Sequence, residues 1–253
     1  YKVLELLLGK GLLTSEGDFW RKQRRLMQPA FHRERLAALV GFMTEAGTDL
    51  VNRWKALPDG TELDVSKEFM GVTLAIVCKA MFSTDVEEAQ EVVDREFDYA
   101  NEALVDRITT ALKLPLSVPT PSNIREKRSY SAIKGVVASI IQKRRKSNER
   151  YDDLLAMLME AQDEDTGERM SDEQIQDEVI TIFLAGHETT AVALSWLVMC
   201  VNDNPEVEHK LLEEEKNVLN GRAPEMEDVR TLEYTRMVID ETLRLYPPAW
   251  IIG

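Results

Sequence analysis

Val179 to Val201 reads VITIFLAGHETTAVALSWLVMCV, apolar on nearly every helical face. A helix of that kind is either the buried centre of a large domain or a membrane span. The decision rests on Gly186-His187-Glu188-Thr189-Thr190 in its middle. A carboxylate at a bilayer centre costs roughly 2.5–3.5 kcal/mol, so the buried central helix of a soluble domain is preferred. The interruption itself needs a reason. Gly186 costs about 1 kcal/mol relative to alanine in a helix interior. Thr189 and Thr190 carry hydroxyls that can bond back to carbonyls one turn earlier. Two readings stay open: a locally opened turn facing a ligand, or a kinked core helix whose polar groups satisfy one another. His187-Glu188 also begins an HExxH-like string, but Ala191 stands where the second histidine belongs, which argues against a zinc peptidase.

Working outward, Ser171 and Gln174 form a capping box that opens this helix, which runs to about residue 203. Asn204-Pro205 restarts the chain with an N-cap residue and a proline at the first helical position. Asn220-Gly221 stops that helix, and a last one spans about 228–245 before Pro247-Pro248. Upstream, Ser15 and Asp18 read as a capping box opening a helix that Pro29 ends. An amphipathic run from Arg33 to Lys55 closes at Pro58-Asp59-Gly60. Further helices are predicted over about 66–82, 86–112 and 123–146, with a short one near 151–162. Pro115, Pro119 and Pro121 make the stretch from Leu114 to Pro121 a loop, and Asp163 to Gly167 is an acidic loop. Strand candidates are few, so the fold class is mainly α.

The 253 residues suffice for one large domain with a substantial core. A formal net charge of −14 argues against a general nucleic-acid binder, because nothing offsets repulsion from phosphates. Cys78 and Cys200 lie in apolar stretches without CxxC or Cys/His spacing, which reads as two reduced thiols rather than a zinc or disulfide framework. The chain starts at Tyr1 and ends at Ile251-Ile252-Gly253, and both ends read as cuts through a longer protein.

Three motifs in order carry a resemblance. Ala185 to Thr190, AGHETT, resembles the oxygen-binding turn of the cytochrome P-450 family. Glu241-Thr242-Leu243-Arg244, followed by LYPP, resembles its ExxR helix. Trp20-Arg21-Lys22-Gln23-Arg24, followed by RLMQPAF, resembles its WxxxR helix. The likeness runs from Tyr1 to Gly253 and is nearest the soluble bacterial and fatty-acid-hydroxylase-like members. It implies a single incomplete cytochrome P-450 domain over residues 1–253, with a helix-rich core around the long central helix. The N-terminal sheet region and the C-terminal haem-ligand region are expected to be absent. It also implies a haem-dependent monooxygenase that inserts one oxygen atom from O2 into an apolar organic substrate. The electrons are expected from a ferredoxin or flavin reductase, separate or fused, and the location is expected to be cytoplasmic.

Residue by residue, the resemblance adds roles to what the side chains can do. Trp20 and Arg24, four apart, share a helix face and can both donate to an anion; in the family that anion is a haem propionate. Thr189 is assigned delivery of protons for O–O cleavage, and Glu188 is the neighbouring acid of the relay. Ala185 and Gly186 leave room for oxygen and substrate. Leu13, Leu184 and Ala249 take the positions of apolar substrate contacts. Glu241 and Arg244, three apart, can pair along a helix and are structural in the family. His32 receives no role. The family's haem ligand is a cysteine in an FxxGxxxCxG loop, and neither Cys78 nor Cys200 sits in one, so the axial cysteine is expected outside this sequence. The isolated chain is therefore expected to be inactive and prone to aggregate. The competing reading is a non-catalytic helical interaction module that keeps the fold without its chemistry.

Overall fold

Helical periodicity and proline placement translate almost directly into elements. The computed structural model describes residues 3–83, 86–110, 113–163 and 166–249. Two short helices, α1 (Glu5–Leu8) and α2 (Gly17–Met27), lead through a 3-10 turn (Gln28–Phe31) into α3 (Arg33–Lys55) and α4 (Val65–Phe82). Next come α5 (Val86–Thr109), α6 (Pro121–Lys146), α7 (Leu154–Glu160) and α8 (Asp172–Asn202). The chain ends in α9 (Pro205–Val218), a 3-10 turn (Asp228–Arg230) and α10 (Glu233–Leu245). Among the described residues there is no sheet, only an isolated bridge between Gln162 and Arg169. The end of the helix predicted over 86–112 and the middle of the acidic loop at 163–167 lie outside the described residues.

Two compact units follow from the contacts: Tyr1–His32 with Cys78–Leu184, and Arg33–Val77 with Ala185–Gly253. In the first, Thr120 caps α6 by accepting from the Asn123 amide at 3.1 Å, and Pro121 opens it. Four basic residues close α6 and oppose its negative end. Arg107 of α5 donates to Asn123 Oδ1 at 2.6 Å and Glu126 Oε2 at 2.9 Å, tying α5 to α6. The core includes Leu7, Leu8, Phe82, Ile140, Ile141, Leu155 and Ile180. In the second unit, Leu50, Phe69 and Ala191 form a buried cluster that Trp54, Leu194 and Val198 flank. Trp196 of α8 stacks on Tyr246 at 4.2 Å, which fixes the end of α10.

Several expectations need correction. The Ser171–Gln174 box forms, at 2.8 and 3.2 Å. The Ser15–Asp18 box does not: α2 begins after Glu16 with no side-chain cap, and Ser15 Oγ is buried without a partner. Gly17 there adopts φ +62°, so the chain enters α2 through a glycine turn instead. Asn204 stands at the N-cap of α9 with Pro205 opening the helix, but its side chain makes no cap bond there: its amide turns back to the Cys200 carbonyl at 2.7 Å, at the end of α8. The helix predicted over 228–245 is divided, because the Asp228 carboxylate accepts from the Glu225 amide and from Arg222 and makes its own turn.

The long helix is continuous from Asp172 to Asn202, with no opened turn at Gly186. Its N-terminal half is buried through Ile175, Val179, Ile180 and Phe183. Its C-terminal half is mostly half-buried, and only 17% of its most apolar stretch is buried. The expected fully buried central helix is thus realised in the first unit alone. By length and composition α8 could cross a membrane.

Candidate functional site

Ala185, Thr189 and Ala193 recur every four residues along α8, so they share one face with Thr190, Leu194 and Leu197 beside them. In the second unit this face lines an open cavity of about 590 Å³, together with Ile239, Thr242 and Leu243 of α10 and with Pro248 and Ala249. The lining is hydrocarbon except for three threonines. Thr189 Oγ1 donates to the Ala185 carbonyl at 2.5 Å, and Thr242 Oγ1 to the Val238 carbonyl at 2.8 Å. Both hydroxyl protons are therefore held inside their own helices, and each oxygen keeps lone pairs free to accept. A ligand that accepts a proton from Thr189 must compete with one intrahelical bond, worth about 1 kcal/mol net.

The rest of the AGHETT turn divides by direction. His187 is 5% exposed and its Nε2 lies 3.2 Å from the Met70 carbonyl, an acceptor, so that nitrogen carries the proton. The histidine thus ties α8 to α4 rather than serving the cavity. A β-carbon at Gly186 would meet only Val77, at the ordinary distance of 3.4 Å. Packing in this unit does not demand glycine there, although the helix loses about 1 kcal/mol for it. Glu188 is half-buried.

Trp20 and Arg24 belong to the first unit. The Arg24 guanidinium rests 5.2 Å from the centre of the half-buried Trp20 ring. The neighbouring cations are occupied: Arg21 with Asp18 at 3.0 Å, Lys22 with Glu168 and Arg25 with Asp163. Among the described residues no acid pairs with Arg24, which leaves one exposed guanidinium beside an indole, ready for an anion. Leu13 is 49% exposed and Leu184 half-buried in the same unit. The structure brings Ala185, Thr189 and Ala249 together in one cavity.

Glu241 and Arg244 pair through two bonds of 2.7 and 2.6 Å. Both side chains are exposed, at 55% and 66%, so here the pair contributes at the level of a surface bridge. The helix that carries it is held by a residue the sequence did not point to. Glu214 of α9 accepts from the Tyr234 amide at 2.6 Å, the Thr235 amide at 2.8 Å and Thr235 Oγ1 at 2.7 Å. α10 has no side-chain cap of its own, so Glu214 caps it from another helix, and those donors hold its carboxyl below the usual range despite partial desolvation. Within Glu213-Glu214-Glu215 nothing local distinguishes it from a solvated acidic face. Glu214→Ala is expected to cost about 1–2 kcal/mol, as a lost cap does, read as a drop in the urea midpoint, with Glu214→Gln losing less.

Two further carboxylates missed from sequence lie at the start of α8. Asp177 and Glu178 are buried and accept from the Lys10 and Leu12 amides. Burial pushes Glu178 up to about 7, more than the Leu12 amide lowers it. No local signal marks them: adjacent residues lie about 100° apart on a helix, and the neighbouring acids Asp172 and Glu173 on the same helix are both exposed. Cys78 is fully buried, and Cys200 lines a separate groove of about 470 Å³ with Met199 and Tyr246. Among the described residues no cluster of three or more His, Cys, Asp or Glu could hold a metal ion.

Comparison with known proteins places this arrangement. The family model "Cytochrome P450" matches residues 1–252. Cyclooctat-9-en-7-ol 5-monooxygenase of Streptomyces melanosporofaciens is 35% identical over 246 residues, covering 97% of this chain and 53% of its own. Pentalenene oxygenase of Streptomyces avermitilis is 36% identical over 249 residues, covering 97% and 54%. The crystal structure of the cytochrome P450DA heme domain superposes with a TM-score of 0.83 at 26% identity, over 96% of this chain and 54% of that one. The chain thus spans about half the length of the relatives it matches.

Proposed function

The chain belongs to the cytochrome P450 family, and from that premise we propose that it forms the central walls of a haem-dependent monooxygenase. The reaction inserts one oxygen atom from O2 into an apolar organic substrate. The observation that carries this reading is the cavity of the second unit, where a threonine hydroxyl and small residues face an otherwise hydrocarbon lining. The residues present fit haem in two respects. The apolar wall suits the face of a macrocycle, and Arg24 with Trp20 suits a propionate, being a cation with no acid partner among the described residues. Haem, when bound, supplies the oxidising chemistry.

The chain's own residues supply placement and protons. Ala185 in the cavity wall, with Gly186 beside it in the chain, leaves room for oxygen and substrate, and the leucines and Ile239 make the lining apolar. Thr189 can exchange its bond to the Ala185 carbonyl for one to a ligand, with Glu188 one residue away as the acid that replenishes its proton. Leu13, Leu184 and Ala249 contact the substrate, and Glu241 with Arg244 stabilises the haem fold. We read the two units as parts of one domain, because a single family model spans them. A redox partner, ferredoxin or flavin reductase, delivers electrons, and the protein is cytoplasmic. A thiolate from a cysteine outside this sequence completes the site.

Carbon-monoxide difference spectroscopy tests this. The 253-residue chain is expected to give no thiolate band, since Cys78 is buried and Cys200 lines another groove. A longer protein carrying this chain is expected to give it. In that protein Thr189→Ala should lower product formed per O2 consumed by roughly a hundredfold, the low end of what positioned proton transfer contributes. A thiolate band from the chain itself, or an undiminished yield in the variant, overturns the assignment. A longer protein with neither band nor turnover favours the helical interaction module.

A further inference from the structure

We propose that Asp177 and Glu178 are positioning residues that strap the segment Gly9–Ser15 to α8 and so fix where Leu13 stands. That Leu13 contacts substrate rests on the function proposed above; the strap itself rests on geometry within the first unit. The Lys10 amide donates to Asp177 Oδ2 at 2.8 Å, and the Leu12 amide to Glu178 Oε2 at 2.9 Å. Two amides two residues apart thus meet two adjacent carboxylates on one rigid helix.

Glycine makes that approach possible. A β-carbon at Gly11 would stand 2.2 Å from Thr181 Oγ1 and 3.0 Å from the Asp177 carbonyl oxygen. At Gly9, where φ is +57°, it would stand 2.1 Å from Asp177 Oδ1. Thr14, which is buried, closes the strap on itself: its hydroxyl lies 2.8 Å from the Gly9 carbonyl and 3.1 Å from the Gly11 carbonyl. Leu13 then projects at 49% exposure between an anchored Leu12 and a buried Thr14. A leucine held on both sides has few ways to move, which is what a specificity-determining contact requires.

The strap is also poised to respond to pH. Glu178 is fully buried and its Oε1 has no hydrogen-bond partner. Its carboxyl is neutral at mildly acid pH, and ionisation places a buried charge there with one amide donor. Of the charged groups around the pair, Lys10 on the strap, Lys134 on α6 and Glu173 on α8 act on Asp177. Asp177 acts on Glu178 and also opposes its ionisation. Rising pH therefore favours conformations in which the strap lifts and Glu178 reaches water.

Hydrogen–deuterium exchange of the whole chain, corrected for intrinsic rates, tests this at the Lys10 and Leu12 amides. Glu178→Ala and Gly11→Ala are each expected to lower protection at Leu12 by roughly tenfold or more, with amides inside α6 unchanged. In the unsubstituted chain, protection at Leu12 should fall between about pH 6 and 8, whereas Glu178→Gln should give a flat profile. Full protection in Glu178→Ala, or the same profile in the unsubstituted chain and Glu178→Gln, overturns the proposal. If an alanine variant also loses protection in α6, the glutamine profile decides. Exchange needs neither haem nor turnover. Failure of the monooxygenase reading would leave this pattern intact, and failure of the strap would leave the haem spectrum intact.

Discussion

Arg144→Met is expected to destabilise the first unit by about 3–5 kcal/mol, the range for breaking one partner out of a buried ion pair. Arg144 Nη1 donates to Asp153 Oδ1 at 2.6 Å, and both side chains are only 2% exposed. The same guanidinium donates to the Phe82 carbonyl and covers the Tyr151 ring at 4.1 Å. Asp153 in turn accepts from Ser83 Oγ at 2.6 Å and caps α7 through the Ala156 amide at 2.9 Å. One pair therefore ties together the ends of α4 and α6 and the start of α7. Methionine nearly matches the volume of arginine's stem but removes every donor, leaving the Asp153 charge buried with two neutral donors. The Arg144→Met/Asp153→Asn double variant should recover part of the loss, because it removes the uncompensated charge while keeping an acceptor for the cap. Urea unfolding of the two variants measures both numbers. A loss below about 1 kcal/mol in the single variant would put the pair on the footing of a surface bridge.

That network shows where reading the sequence stops. Lys143-Arg144-Arg145-Lys146 is a basic helix end, and composition treats its members alike. Helix phase alone turns Arg144 inward, while Arg145 reaches an exposed Asp172 at 2.9 Å. The long helix was legible because an unbroken apolar run has few alternatives, and its start because Ser171 and Gln174 satisfy each other locally. Ser15 and Asp18 offered the same spacing and failed, since the preceding strap is held by α8 through bonds that span 167 and 166 residues.

The candidate site divides along the same line. Residues within one motif or one helix face fall together: Ala185 and Thr189 line one cavity, and Glu241 pairs with Arg244. Residues that act across elements stand apart in the sequence. Glu214 caps a helix that begins 19 residues later, and Glu178 binds an amide 166 positions away, so neither belongs to a local pattern. The choice at Gly186 was left open by the sequence. The helix runs through it unbroken, with the Thr189 hydroxyl returned to Ala185, as in the self-satisfied reading but without a break in the helix. What local chemistry could not reveal is that Ala249, beyond the last helix, faces the same cavity as that turn.

Stability is expected to fall by about 3 kcal/mol as the pH rises from about 4.5 to above 7, through Glu178 alone. Its folded pKa, about 7, is raised from the ordinary 4.5 by burial and by Asp177 beside it, with the Leu12 amide opposing them. Below the unfolded value both states hold the proton, and the contribution is fully present. Between the two values the native state keeps a proton that the unfolded chain releases, so each step upward in pH favours unfolding. Above the folded value both states are ionised and the loss is complete. Asp177 is raised in the same direction. Asp228, lowered to about 2 by Arg222, acts oppositely, but its window closes below the ordinary carboxylate value of 3.8, outside the range in question. Urea unfolding at pH 5, 6, 7 and 8, the interval set by these values, should therefore show a descending curve in the unsubstituted chain and a shallower one in Glu178→Gln. The variant should be the more stable of the two at the alkaline end, because its neutral amide does not ionise there. Parallel curves would assign the descent to other groups and leave Glu178 an ordinary carboxylate in the folded state.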